Sequence, residues 1–321
     1  MNKNSVNRTG YGGMESFQKL FKRRALLMGG GVFASMLLVH PRDLLAQAER
    51  SDGPRRINLS GRQRMLIQRA GKFVCLAYQN PDPAPLLAAA AETVALHQIA
   101  EAGLKDGDDE LGLEPETNAS VLSALTRANN AFSPYGQTIR DAIERRRVEQ
   151  AHLQAISDLN GPALAEMDAA VNLIERVYKS AELSEQMAML INISGRQRMF
   201  TQRLVLLLCL SRSGLASPDT RQELFRIMNR FSISLNILNR VTPGALKDAK
   251  SQPVIERLNS VQGDWAALRE LISTNTRSTG TQVTGDILDV DKQAENLLKR
   301  MNAIVLLYEE AAAGREQGYE D

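Results

Sequence analysis

The strongest constraint on this chain is an internal repeat. Residues 57–69 read INLSGRQRMLIQR and residues 191–203 read INISGRQRMFTQR, identical at ten of thirteen positions and 134 residues apart. Self-similarity at that distance implies two copies of one structural unit, each organised around the same segment. Both segments are free of proline and suit a helix. The chain therefore has to accommodate two related helices that carry several arginines among apolar residues.

Composition agrees with a helical protein. Aromatic residues are only 5 % of the 321, while Ala, Leu, Arg, Gln and Glu abound, which favours an all-α chain. Its formal charge of +2 hides an asymmetry, because residues 1–48 hold seven Lys or Arg against two acids and the remainder is slightly acidic. Without a clustered basic excess, no nucleic-acid partner is expected. The run Arg145, Arg146, Arg147 reads as a solvated face.

Residues 1–48 read as an export signal. A basic stretch ends in KRRALLM, an apolar stretch runs from Ala25 to Val39, and Ala46 and Ala48 form a small-x-small cleavage site. Arg23 and Arg24 followed by Leu26 and Leu27 resemble a twin-arginine signal. Lys22 stands where that pattern prefers Ser or Thr, so the general secretory route stays open. Fifteen apolar residues fall short of the ~20 that span a bilayer. The expectation is a periplasmic protein starting at Glu49.

Breaks along the chain then define helices. A helix is predicted over 57–79, ended by NPDPAP, a second over 86–104, and a third from Asn118 to about Leu159, bent at Ser133-Pro134. Asn160-Gly161 then punctuates the next start. Residues 163–193 contain neither Gly nor Pro, which predicts one long helix joining the two units. Further breaks are expected at 214–218, 243–244 and 253, with a helix around Trp265, a loop over 274–284 and a last helix over 287–313. The predicted fold is all-α, two tandem four-helix bundles sharing that connecting helix, with domains at 49–182 and 183–321.

On a helix, Ile57, Gly61, Arg64, Gln68, Gly71 and Cys75 fall on one narrow stripe, as do Ile191, Gly195, Arg198, Gln202, Val205 and Cys209. Gly lets another element come close, while Arg and Gln place donors in the same seam. Removing a guanidinium from water costs several kcal/mol unless it is paired. Something negative must therefore face Arg64 and Arg198, either a carboxylate from another helix or a small oxyanion that matches the planar fork of Arg. Arg62 and Arg69, with their counterparts Arg196 and Arg203, lie on another face, where packing and phosphate-like contacts are both open.

These segments resemble the start of PilJ-type domains, the sensory modules at the N-terminus of type IV pilus methyl-accepting transducers. They are also similar to the periplasmic box of nitrate/nitrite sensor kinases of the NarX kind. The resemblance spans both copies and implies two tandem sensory domains. In the nitrate sensors the Arg of Arg-Met contacts the anion where two such helices meet, a role that maps to Arg64 and Arg198. Gln68, Gln202, Gly61 and Gly195 complete the candidate ligand site, with nitrate or nitrite as the suspected anion. One chain could supply both halves, or the site could lie across a homodimer. Departures from the nitrate-sensor box at Arg62, Gln63 and 66–68 bear on which anion fits. The resemblance further implies a membrane receptor, sensor kinase or transporter as signalling partner.

Cys75 and Cys209 hold the same position in the two copies. Free cysteine is often buried, so two buried thiols are the expected state, with a disulfide available if the motif helices pack in parallel register. His97 and His152 lack metal-ligand spacing and read as packed or surface residues. The acidic loop Asp106, Asp108, Asp109, Glu110 lacks the ligand order of a calcium loop and reads as a solvated turn. No phosphate loop or nucleophile constellation is recognisable. A non-enzymatic protein without cofactor or metal is expected. The rival reading is a helical adaptor whose arginines sit in permanent salt bridges.

Overall fold

A computed structural model describes residues 52–179, 183–215, 218–246, 248–277 and 286–312. Among these are eight helices and one isolated bridge, Asp108 to Leu113. The helices are α1 (Gly53–Gln79), α2 (Ala84–Asp106), α3 (Ala119–Glu144), α4 (Gln150–Tyr178), α5 (Glu185–Leu210), α6 (Pro218–Ala245), α7 (Asp248–Arg277) and α8 (Ile287–Ala312). No described helix is long and apolar enough to cross a membrane. The predicted export signal lies outside the described residues.

Local chemistry explains several ends. Asn80 takes an extended conformation ahead of Pro81 and stops α1. The Asn118 side chain accepts from the backbone N–H groups of Ser120 and Val121 and starts α3. Ser184 caps α5 by accepting from the N–H of Met187 at 3.2 Å.

Helices α1 to α4 pack in a ring, each against the next and α4 back on α1, and α5 to α8 repeat the ring. The two bundles lie side by side, joined along α1 and α5, the most extensive helix pair among the described residues. This placement explains their composition: 23 of the 27 residues of α1 are buried, against nine of 26 in peripheral α3. A helix enclosed on all sides cannot show one polar face, so the arginines of α1 must find partners inside.

The repeat extends well beyond the motif. Buried Leu153, Ile156, Ala163, Met167, Val171 and Ile174 of α4 recur 134 residues later as Ile287, Val290, Leu297, Met301, Val305 and Tyr308 of α8. His97 of α2 stacks on Phe132 of α3 with centroids 3.8 Å apart, and Phe231 of α6 stacks on Trp265 of α7 at 4.1 Å. Phe132 and Trp265 thus hold equivalent places, as the sequence suggests.

Four expectations are corrected. The predicted helix over 118–159 breaks instead between Glu144 and Gln150, where Arg146 adopts a φ of 51° and a capping box between Glu149 and His152 restarts the chain. Asn160-Gly161 does not punctuate, because the buried Asn160 side chain is engaged by Tyr135 and Arg203 from other helices. No long helix joins the units: α4 ends at Tyr178, Lys179 is extended, and Ser184 caps a new helix. Pro253 also lies inside α7 rather than at a break.

Candidate functional site

The motif helices face each other in parallel, in register. Cys75 and Cys209 form a disulfide with Cα atoms 6.1 Å apart, and Gln79 donates to the Cys209 carbonyl and the Ser213 hydroxyl beside it. The expectation of two free thiols is therefore wrong. Parallel packing at one register brings two buried sulfurs together.

About ten residues toward the N-termini lie the seam arginines. Arg64 and Arg198 are 0 % and 1 % exposed, and each spans the same kind of network. Arg64 donates through Nη2 to Asn192 Oδ1 of the opposite motif at 2.7 Å, and Arg198 donates through Nη2 to the Asn58 carbonyl at 3.2 Å. Asn192 in turn donates to Glu175, and Asn58 to Glu309. Each of these residues has its counterpart 134 positions away, so the pair is related by a pseudo-twofold inside one chain, as in an isologous dimer.

The remaining bond breaks the symmetry. Nη1 of Arg64 donates to Asp168 of α4 at 2.7 Å, whereas Nη1 of Arg198 donates to Asn302 of α8 at 2.9 Å. Asp168 and Asn302 are equivalent positions. Arg64 has a carboxylate partner; Arg198 has two neutral oxygens. Burial pushes the Arg198 guanidinium down to about 9, and Arg62 and Arg64 add repulsion that Glu309 only partly opposes. Burial also lowers Arg64, with Asp168 pulling the other way.

The glycines make room for these groups rather than for a neighbouring backbone. A Cβ at Gly61 would lie 3.5 Å from Arg64 Nη2 and 3.8 Å from Arg198 Nη2, so both guanidinium heads share the space above it. At Gly195 a Cβ would lie 3.3 Å from Arg198 Nη2. Gln68 accepts from Arg203 and Gln202 donates to Thr201, which leaves Gln68 Nε2 unpartnered, along with Nε of both arginines. Gly71 departs from the stripe's expected role: it faces Tyr135 and Ile156, not α5.

Outside the seam, Arg69 pairs with Glu295 at 2.9 Å, and Lys72 pairs with Glu295 at 2.6 Å and Asp291 at 2.5 Å. Burial pushes the Glu295 carboxyl up, but Lys72 and Arg69 overcome this and hold it at about 2. Arg203, the counterpart of Arg69, instead meets Asn160 at 2.9 Å and Glu223 at 3.4 Å.

Residues 45–157 and 181–303 each match the family model described as the type IV pili methyl-accepting chemotaxis transducer N-term, PilJ. The chain belongs to the PilJ family. No curated protein and no solved structure matches it. The two PilJ matches contain one motif helix each, so the seam is where one PilJ copy meets the other.

The partners of the arginines were not found from the motif. Asp168 and Asn302 each lie 104 residues from the arginine they meet. Extending the 134-residue offset past the motif is the signal that would have found them, since Glu175 and Glu309 are identical at that spacing.

Proposed function

We propose that this PilJ protein is a sensory ligand-binding protein that holds a small oxyanion, nitrate or nitrite in kind, between Arg64 and Arg198. One observation carries the reading: two buried guanidinium heads share the space above Gly61, and Arg198 has no carboxylate among its direct partners, with Glu309 only partly offsetting its charge. A desolvated, uncompensated charge costs several kcal/mol, and an anion placed between both forks would offset it. Nε of each arginine and Nε2 of Gln68 add donors of the right sign.

Occupancy would replace repulsion between the motif helices with attraction, and so shift how α1 and α5 sit against each other. The disulfide at Cys75 and Cys209 holds one end of the pair, which leaves movement to the end nearer Asn58 and Asn192. A membrane receptor, sensor kinase or transporter would read that movement, in the periplasm if residues 1–48 act as an export signal. The family's description as a transducer N-terminus supports a signalling function over a catalytic one.

A second reading has its own observation. The Arg64 to Asp168 pair at 2.7 Å is the permanent salt bridge of a structural adaptor. Thermal unfolding with nitrate, nitrite, sulfate and chloride at matched ionic strength separates the two. Native-state binding stabilises by RT ln(1 + [L]/Kd), about 2.7 kcal/mol at a hundredfold excess over Kd. The sensor reading predicts a rise specific to one oxyanion and lost in Arg64→Ala and Arg198→Ala. Equal responses to all four anions would leave the adaptor.

A further inference from the structure

The pseudo-twofold gives the molecule two equivalent clefts on the outer flanks of the motif pair, one where α8 and α2 border α1, the other where α4 and α6 border α5. Their chemistry differs. In the first, Glu295 supplies a carboxylate to Arg69 and Lys72. In the second, the position of Glu295 is Gly161, and that of Lys72 is Leu206. A Cβ at Gly161 would meet nothing within 4 Å. The result is an open cleft of about 490 Å³ between the two bundles, with Met199 and Phe200 in its lining.

Arg196, Arg203 and Arg230 line this cleft together with apolar Leu164 and Ile233. Arg203 has partners, but Arg196 and Arg230 make no hydrogen bond or ion pair among the described residues. Of the two acids lining the cleft, Asp168 is committed to Arg64, and Glu223 to Arg203 and Arg226. Arg196, half-buried, and Arg230, exposed, thus have no acid committed to them beside an apolar wall. Ile233 remains 60 % exposed there and offers an apolar surface at the rim of the cleft.

We propose that this cleft is a second binding site, for a small organic carboxylate whose charged end takes the place that Glu295 fills in the opposite cleft and whose apolar body lies along Phe200 and Ile233. The opposite cleft shows that a carboxylate is accommodated at this position beside Arg69 and Lys72. Here Arg203 already has Asn160 and Glu223, so Arg196 and Arg230 are the donors left for it, and the volume falls in the range of small-molecule sites. Such a ligand bridges α4 of one bundle and α6 of the other. Asp168 lines the cleft and holds Arg64, so occupancy also touches the seam. The cleft stands on its own residues, however, and does not require an oxyanion at Arg198.

The test is isothermal titration of the full chain with hexanoate and adipate, with acetate and 1-hexanol as controls, read in parallel by fluorescence. Trp265 is the only tryptophan and donates to Ser232, next to Ile233. The expected result is saturable one-to-one binding of hexanoate or adipate, at least tenfold tighter than acetate or hexanol. Arg230→Gln and Arg196→Gln should each weaken it about tenfold. Gly161→Glu, which installs the internal carboxylate of the other cleft, should abolish it while the melting temperature holds. Equal binding of hexanoate and hexanol, no saturable binding, or unchanged binding in folded Gly161→Glu would each overturn the proposal.

Discussion

The two motif helices share ten of thirteen residues, one register and one set of cross-seam amides, yet Arg64 meets a carboxylate and Arg198 an amide. The outer flanks differ in the same sense, with Glu295 closing one and Gly161 opening the other. Scaffold and register are common to both halves, while Arg64 and Arg69 have carboxylates that are replaced, at the equivalent positions around the second motif copy, with Asn302 and Gly161. A structural protein gains nothing from leaving a guanidinium uncompensated in its interior. That asymmetry is where ligand chemistry has room to act.

The largest effect should come from the bond that holds the two halves together. The Cys75 to Cys209 disulfide closes a separation of 134 residues, and cross-links of that span contribute about 5 kcal/mol through the unfolded chain. Cys75→Ser with Cys209→Ser should lose that much in denaturant titration, and a reductant should have no further effect on the variant.

Next comes a pair exchanged between the copies. Gly71 with Tyr135 in the first half corresponds to Val205 with Leu268 in the second. A Cβ at Gly71 would meet the Tyr135 hydroxyl, which donates to the Ile67 carbonyl, and would lie 3.2 Å from Ile156. Gly71→Val should cost about 3 kcal/mol by overpacking. Adding Tyr135→Leu should recover much of that in chemical unfolding, since the second half already tolerates the combination.

Asp168→Asn makes the seam symmetric by removing the carboxylate from Arg64. Breaking a fully buried pair costs 3–5 kcal/mol, and Asp168 is 41 % exposed, so about 2 kcal/mol is expected. The same variant should bind an oxyanion more tightly, because the seam then holds two uncompensated arginines.

The smallest effect lies in the aromatic stacks. Burial pushes His97 down to about 3 from an ordinary 6.5, so it stays neutral in the folded protein while the unfolded chain takes up a proton below 6.5. The unfolded state binds more protons in that window, so stability falls as pH falls, by about 1.4 kcal/mol at pH 5.5. His97→Phe, which copies the Phe231 to Trp265 stack, should flatten the profile between pH 5 and 7.

Much of this was legible in the sequence. The repeat gave the paired units, Asn80-Pro81 and Asn118 marked real helix ends, and the desolvation argument singled out Arg64 and Arg198. What failed were positions where tertiary contacts override local signals. Asn160-Gly161 reads as a turn until Arg203 and Tyr135 occupy the Asn160 side chain. The break before α4 needs Arg146 in a left-handed conformation that no local rule assigns to arginine. The disulfide depended on parallel register, which the motif alone does not fix. Asp168 and Asn302 lie on other helices, 104 residues from the arginines they meet, and the motif alone does not reach them; only the 134-residue offset carried past it pairs the two positions.

The most direct test of the central claim is Asn302→Asp, which gives Arg198 the carboxylate that Arg64 already has. In thermal unfolding with and without nitrate or nitrite, the variant should be more stable than the parent in the absence of anion and should lose the anion-specific rise. An anion-specific rise of undiminished size in Asn302→Asp, or none in the parent, would contradict the account.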